Sequence, residues 1–525
     1  MDNEVYVLDS TLRDGGYCNQ WKFGYENKRN IILGLEDAGV DIIECGLLCK
    51  GKFTEEHSKY SDIRQFLESI PEGRRNSLFV LLMNYGEFDI DLLPENTAGD
   101  LDGIRFAFHK EDFKNAIEQM RGIKRKNYKV FMQPMVTVNY STDEYMELIN
   151  AANELEPYAF YVVDSFGSMT AEEVKKYSAL ADYLLKGSVV LGFHSHNNLQ
   201  LAYSNAQLFI GETAGRKSIV DCCIMGMGRG AGNLNTELFL DHMNKKYGKR
   251  YKVEPILSVI DEIINVFYQK KYWGYSLPNY LSASYNMHPN YGSYLADKNT
   301  LTISMMGELL SLVDIGKKNT FDKGYMENLY VSYMCANELK NKARIEFSDI
   351  FAGRDILLIA PGKSIDTETE KIKKFSVGKN IMTISINFDF SLIHTDYVFL
   401  SNPKRYEEMG TDDGDRLIVT SNVRVRSSCR TADYLGLLCE EECIRDNATM
   451  MLIKLLINSR AKRLYLAGVD GYSIGVDDNY TKYSTMLVTS AEHMERMNQG
   501  MNKMIKHFGE EIDIQFVTSE KMIRR

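Results

Sequence analysis

Eight short aliphatic or β-branched runs, each followed by a helix-like stretch, occupy the first 224 residues and restrict the fold more than any other feature. They are Val5–Asp9, Val40–Cys45, Leu78–Met83, Ile104–Phe108, Val130–Met135, Ala159–Asp164, Val189–Phe193 and Ser218–Ile224. Strands covered on both faces read as near-continuous apolar runs because neither side meets water. Eight such units in about 240 residues fit a closed (β/α)8 TIM barrel better than an open sheet. Ile31, Ile32, Leu35 and Ala38 mark one helical face, and Gly39 after them suits the left-handed position that ends a helix.

The pattern changes twice after the barrel. Residues 1–252 are expected to form it, and residues 253–350 a Tyr-rich helical appendage opened by the stripe Ile256, Val259, Ile260, Ile263, Ile264 and Phe267. From Asp355 onward, Ile356–Ala360, Ile381–Ile386, Tyr397–Leu400, Leu417–Thr420, Leu464–Ala467 and Ile512–Val517 predict an open-sheet, Rossmann-like α/β domain over 351–525. Its first loop, Ala360-Pro361-Gly362-Lys363-Ser364, lacks the spacing of a Walker A loop. A net charge of −10, from 62 Lys and Arg against 72 Asp and Glu, argues against nucleic acid as a partner. Nine scattered cysteines without a CxxC pair predict a reducing compartment, and no run approaches the ~18 apolar residues of a membrane span. The start has no signal-peptide pattern, so the expected location is cytoplasmic.

Three segments carry chemistry. Asp9-Ser10-Thr11-Leu12-Arg13-Asp14-Gly15-Gly16 follows the first strand, at the end where barrel active sites lie. His194-Ser195-His196-Asn197 closes the seventh strand, where residues i and i+2 share a face. Gly226-Met227-Gly228-Arg229-Gly230-Ala231-Gly232-Asn233 follows the eighth, with glycines that permit close backbone approach and an amide oxygen at Asn233. Ring closure sets the first strand beside the eighth, so Asp14, His194, His196 and Asn233 are expected to converge. One carboxylate, two imidazoles and an amide oxygen suit six-coordinate Mg²⁺ or Mn²⁺ better than a closed zinc site, with Zn²⁺ the lesser alternative.

Over about residues 4–350 the chain resembles the DRE-TIM metallolyases, which include hydroxymethylglutaryl-CoA lyase, isopropylmalate and homocitrate synthases, and 4-hydroxy-2-oxovalerate aldolase. Thr11-Leu12-Arg13-Asp14-Gly15 is similar to the family's signature loop, His194-Ser195-His196-Asn197 to its HxHN segment, and Gly228 to Asn233 to its glycine-rich motif. The resemblance implies metal ligation by Asp14, His194 and His196, with Asn233 as a ligand in the lyase branch. Val163-Asp164-Ser165-Phe166-Gly167-Ser168-Met169 resembles the aldolases, which places Ser165 at the substrate.

The implied activity is cleavage or formation of a C–C bond next to a pyruvate-type enolate, from a 2-keto acid and an aldehyde. The metal would serve as Lewis acid and Arg13 would sit on the enolate oxygen. Tyr17 stands where the aldolases have a histidine, so the proton shuttle falls to Tyr17, His288 or Tyr291, the last two from an appendage that covers the barrel mouth in this family. Glu44 and Arg105 could orient substrate or pair with each other. The alternative on the same metal is a Claisen-type acyl-CoA condensing enzyme. Segments Ala360 to Ile365, Ser385 to Asn387 and Leu466 to Tyr472 faintly resemble nucleotide-sugar-binding domains of bacterial sialyltransferase type, which implies a second, nucleotide-binding function. Self-association is compatible with the sequence.

Overall fold

The computed structural model describes residues 4–71, 76–97, 101–336, 347–377, 380–390, 392–409, 414–426, 429–473 and 491–519. The chain divides into two compact units, one made of 1–292 with 314–321, the other of 293–313 with 322–525. The appendage expected over 253–350 is thus shared between them, and its last part, 337–346, lies outside the described residues. No described helix is long and apolar enough to cross a membrane. All nine cysteines are free thiols.

In the first unit, β1 (Val5–Asp9), β2 (Ile42–Leu48), β3 (Lys59–Tyr60), β4 (Leu78–Asn84), β5 (Gly103–Phe108), β6 (Lys129–Pro134), β7 (Ala159–Asp164), β8 (Val190–Ser195) and β9 (Ser218–Cys222) form one parallel sheet. β1 pairs with both β2 and β9, which closes the ring of eight long strands. The two-residue β3 is an addition that the apolar pattern missed, laid against the end of β2. There the register slips between Glu44 and Leu47, and Gly46 adopts φ +146°. A Cβ at Gly46 would fall 2.1 Å from the Ser58 carbonyl, so only glycine fits where β3 docks.

The barrel interior changes along its axis. One layer is apolar, with Leu8, Ile42, Val80, Phe131, Tyr161, Val190 and Ile219 packed together. Toward the C-terminal strand ends, Glu44, Arg105 and Asp221, each no more than 2% exposed, replace them. Outside, the strands pack on helices such as Tyr25–Ala38, which ends at Gly39 in the expected left-handed conformation. The stripe beginning at Ile256 buries Ile256, Val259, Ile263 and Ile264, and Gly34 of the Tyr25–Ala38 helix admits Val259 closely.

The second unit holds a parallel sheet of β10 (Asp355–Ile359), β11 (Ile381–Ile386), β12 (Tyr397–Leu400), β13 (Leu417–Thr420), β14 (Arg430–Ala432), β15 (Arg463–Ala467) and β16 (Asp513–Phe516). Their order is β14-β13-β12-β11-β10-β15-β16, an open doubly wound arrangement. Strand β14, with the sequence Arg-Thr-Ala, carries no apolar run and was not expected.

Candidate functional site

Asp14 lies in the turn that follows β1, His194 at the end of β8 and His196 just beyond it, and the three buried side chains converge on one point. Asp14 Oδ2 is 3.5 Å from His194 Nε2 and 3.6 Å from His196 Nε2. The Asn233 backbone pairs with His196 in an antiparallel bridge, and its side-chain Nδ2 donates to the Met227 carbonyl at 3.2 Å. A Cβ at Gly228 would lie 2.1 Å from Asn233 Nδ2, so a larger residue would displace that side chain. Among the described residues, both Asp14 oxygens and Asn233 Oδ1 are buried and accept no hydrogen bond, although Arg13 Nη1 lies 3.2 Å from Asp14 Oδ1. Buried acceptors without hydrogen bonds are costly, and a divalent cation between Asp14, His194 and His196 would satisfy the carboxylate. The donor set therefore fits such an ion.

The pattern of charge around these groups supports that fit. Burial opposes the Asp14 charge, but Arg13, His196 and His194 outweigh it and hold the carboxyl well below its usual range. Burial, reinforced by Arg229, pushes His196 down to about 3, which leaves the neutral imidazole that a metal requires. His194 moves up despite burial, because Asp14 and Asp221 flank its two nitrogens. A cation between Nε2 and Asp14 would occupy the place of the proton those carboxylates attract.

Behind the cluster the buried charges close into a ring. Asp221 Oδ2 receives His194 Nδ1 at 2.9 Å and pairs with Arg105 Nη2. Arg105 Nη1 lies 2.9 Å from Glu44 Oε2, which also accepts from Arg13 Nε at 2.8 Å, and Arg13 Nη1 returns to Asp14 Oδ1 at 3.2 Å. Glu44 and Arg105 thus brace Arg13 and His194 rather than line a substrate cavity. Asp221 was missed in the sequence, although a carboxylate inside the apolar run Ser218–Ile224 is itself a signal.

At the same strand ends, a cavity of about 240 Å³ is lined by Tyr17, Ser165, His288, Arg229, His109 and Asn84, among others. Ser165 Oγ accepts from the Val136 amide at 2.9 Å, and its carbonyl accepts from Arg229 Nη2 at 3.1 Å. Arg229 lies 5.4 Å over the Tyr17 ring and 3.1 Å from His288 Nε2. Burial, with Arg229 beside it, pushes His288 down to about 3. The Asn290 amide approaches His288 Nδ1 at 3.2 Å. A neutral imidazole has one acceptor nitrogen, so only one of these two contacts is a hydrogen bond. Tyr291 is not brought to the site. It is fully buried, and its hydroxyl donates to the carbonyls of Lys317 (2.8 Å) and Thr320 (3.1 Å), a structural anchor in place of the expected proton carrier.

Residues 104–262 match the HMGL-like family. A 4-hydroxy-2-oxovalerate aldolase from Thermomicrobium roseum is 31% identical over 252 residues, covering 46% of this chain and 66% of that protein, just under two thirds of its length. An oxaloacetate decarboxylase from Mycobacterium tuberculosis is 26% identical over 253 residues, 46% of this chain and 71% of that protein. Among solved structures, the N-terminal domain of a provisionally named aldolase from Bacteroides vulgatus is 26% identical with a TM-score of 0.48, covering 57% of this chain and 98% of that one.

Proposed function

We propose that this chain, which carries an HMGL-like domain of the DRE-TIM type in its barrel, is a divalent-metal-dependent aldolase that makes or breaks a C–C bond through a pyruvate-type enolate. One observation carries the reading: a buried carboxylate, Asp14, facing the Nε2 atoms of two buried imidazoles, His194 and His196, at the C-terminal strand ends where a cavity also lies. Asp14, His194, His196 and Asn233 would hold Mg²⁺ or Mn²⁺. When bound, that ion supplies Lewis acidity toward the carboxylate and keto oxygens of a 2-keto acid.

The side chains of this chain do the rest. Arg13, fixed by Glu44 and Asp14, retains further donors for the negative charge that develops on the substrate's 2-oxygen. As the C3–C4 bond breaks, its electron pair moves onto C3 and the 2-oxygen, the 4-hydroxyl loses its proton and an aldehyde departs. C3 then takes up a proton to give a methyl group. His288, neutral and next to Arg229, is the group that moves the 4-hydroxyl proton, and Tyr17 across the Arg229 guanidinium orients that hydroxyl. Ser165, at the cavity wall, orients the keto acid.

The test is exchange of pyruvate methyl protons in D2O with added Mg²⁺, followed by NMR. It reads enolate formation without requiring the second substrate. Exchange in the wild type and its loss in Asp14→Asn are expected; a wild type that exchanges nothing between about pH 6 and 9 defeats the proposal.

A further inference from the structure

We propose that the second unit binds an organic phosphate of nucleotide size in the cleft over the C-terminal edge of its sheet, a site independent of the barrel chemistry. Strand β10 is where the order reverses: β11 to β14 extend to one side, β15 and β16 to the other. Loops leaving such a point diverge and open a crevice outside the carboxyl ends of the strands. Two adjoining cavities occupy it, of about 70 and 220 Å³, with Asn387, Asn447 and Tyr472 as shared walls.

The larger cavity contains polar atoms that the fold leaves unused. Ser401, 3% exposed, has an Oγ without a partner among the described residues, and so does Asn387 Oδ1 beside it at the end of β11. Arg405, 4% exposed on the same wall, donates through Nη1 to Glu408 at 2.7 Å, and among the described residues no other acceptor takes its side-chain donors. A guanidinium has five donors in a planar fork that matches phosphate oxygens. Tyr472 and Met497 provide flat, apolar wall, and Asn387 and Ser401 offer hydrogen bonds to a base edge or sugar hydroxyl. An arginine fork, amide and hydroxyl partners and an aromatic wall in one cleft are what a nucleoside phosphate requires.

The same structure closes the more obvious phosphate position. The loop after β10 leads into a helix of only four residues, and Asp470 already occupies its start, accepting from the Ser364 amide at 2.7 Å and from Ser364 Oγ. A phosphate there would meet a carboxylate. The phosphate is placed instead at Arg405, which gives one donor to Glu408 and whose cavity carries Lys298, Lys323 and Arg496 beside the carboxylates of Asp297, Glu442 and Asp446.

Calorimetric titration of the full chain with CMP, UMP, AMP and GMP, and separately with inorganic phosphate, tests this. At least one nucleotide should bind with a Kd below about 1 mM and well ahead of phosphate. Arg405→Gln and Ser401→Ala should each weaken that nucleotide by about tenfold, with pyruvate proton exchange unchanged. Ser401→Ala deletes only an unpaired hydroxyl, so it keeps the test open should the arginine variant misfold. The proposal is overturned by no nucleotide binding, by binding indifferent to Ser401→Ala, or by phosphate binding as tightly as any nucleotide.

Discussion

His194 and Asp221 stand on neighbouring strands with Nδ1 2.9 Å from Oδ2, which directs His194 Nε2 at Asp14. A carboxylate behind a ligating histidine fixes its tautomer and raises its basicity, and losing it costs about 10–100-fold in metal affinity. Asp221→Asn keeps an acceptor but discards the charge. Mn²⁺ binding followed by electron paramagnetic resonance should weaken within that range while circular dichroism stays native. Unchanged Mn²⁺ affinity would show that Asp221 serves only to neutralise Arg105.

His288 is held near 3 by burial and by Arg229, so it is neutral across the working range. Its contribution to proton transfer is then the same at pH 6 as at pH 8. His288→Asn should slow aldol cleavage by about 10²-fold or more. The acid limb of the pH–rate profile should keep its midpoint, because no proton leaves His288 in that window. A limb that shifts or vanishes in the variant would mean that His288 titrates there and that its neighbourhood in the working enzyme differs.

The barrel was legible in the sequence because strands buried on both faces must be apolar, and that pattern survives without knowledge of neighbours. Ring closure accounts for the meeting of Asp14, His194 and His196, with the Asn233 backbone bridged to His196. Contacts made by the ring interior were less accessible. Arg105 and Glu44 read equally well as substrate groups or as each other's partners until Asp221 joined them. Tyr291 shows the opposite failure: a hydroxyl beside His288 in sequence turns away to cap backbone carbonyls, and nothing in residue order reveals that direction. Strand β14 was invisible because three residues at a sheet edge need no apolar run.

If the barrel is an aldolase, a preference for a hydrophilic aldehyde is predicted by the polar side chains on one part of the wall of its cavity. Asn84, Glu87, His109, Asp112 and Asn319 line it together with Tyr85. A short alkyl aldehyde would leave these groups facing its methyl carbons, whereas hydroxyls on a sugar-like aldehyde would pair with them. In condensation with pyruvate, erythrose or arabinose should exceed propionaldehyde in kcat/KM by about tenfold or more. Asn84→Leu should narrow that ratio chiefly by lowering the hydroxylated substrates. Equal rates for alkyl and hydroxylated aldehydes would dispose of the idea.

Lys28 couples the fold to alkaline pH. Its side chain is 1% exposed on the Tyr25–Ala38 helix, with Nζ donating to the His57 carbonyl at 2.7 Å. Burial pushes its pKa down from 10.5 to about 8, against the opposing pull of Glu56 and Glu55. Below pH 8 both folded and unfolded chains carry the proton, and the fold bears the full cost of the buried charge. Between about pH 8 and 10.5 the folded lysine releases its proton while the unfolded one keeps it, so the unfolded state binds more protons and stability rises with pH. The gain across that window is at most about 3 kcal/mol. Guanidinium unfolding of the wild type and Lys28→Met at several pH values isolates it, since other titrating groups are common to both. The wild type should gain on the variant as pH rises; parallel stability curves would mean that Lys28 keeps an ordinary pKa in the folded protein.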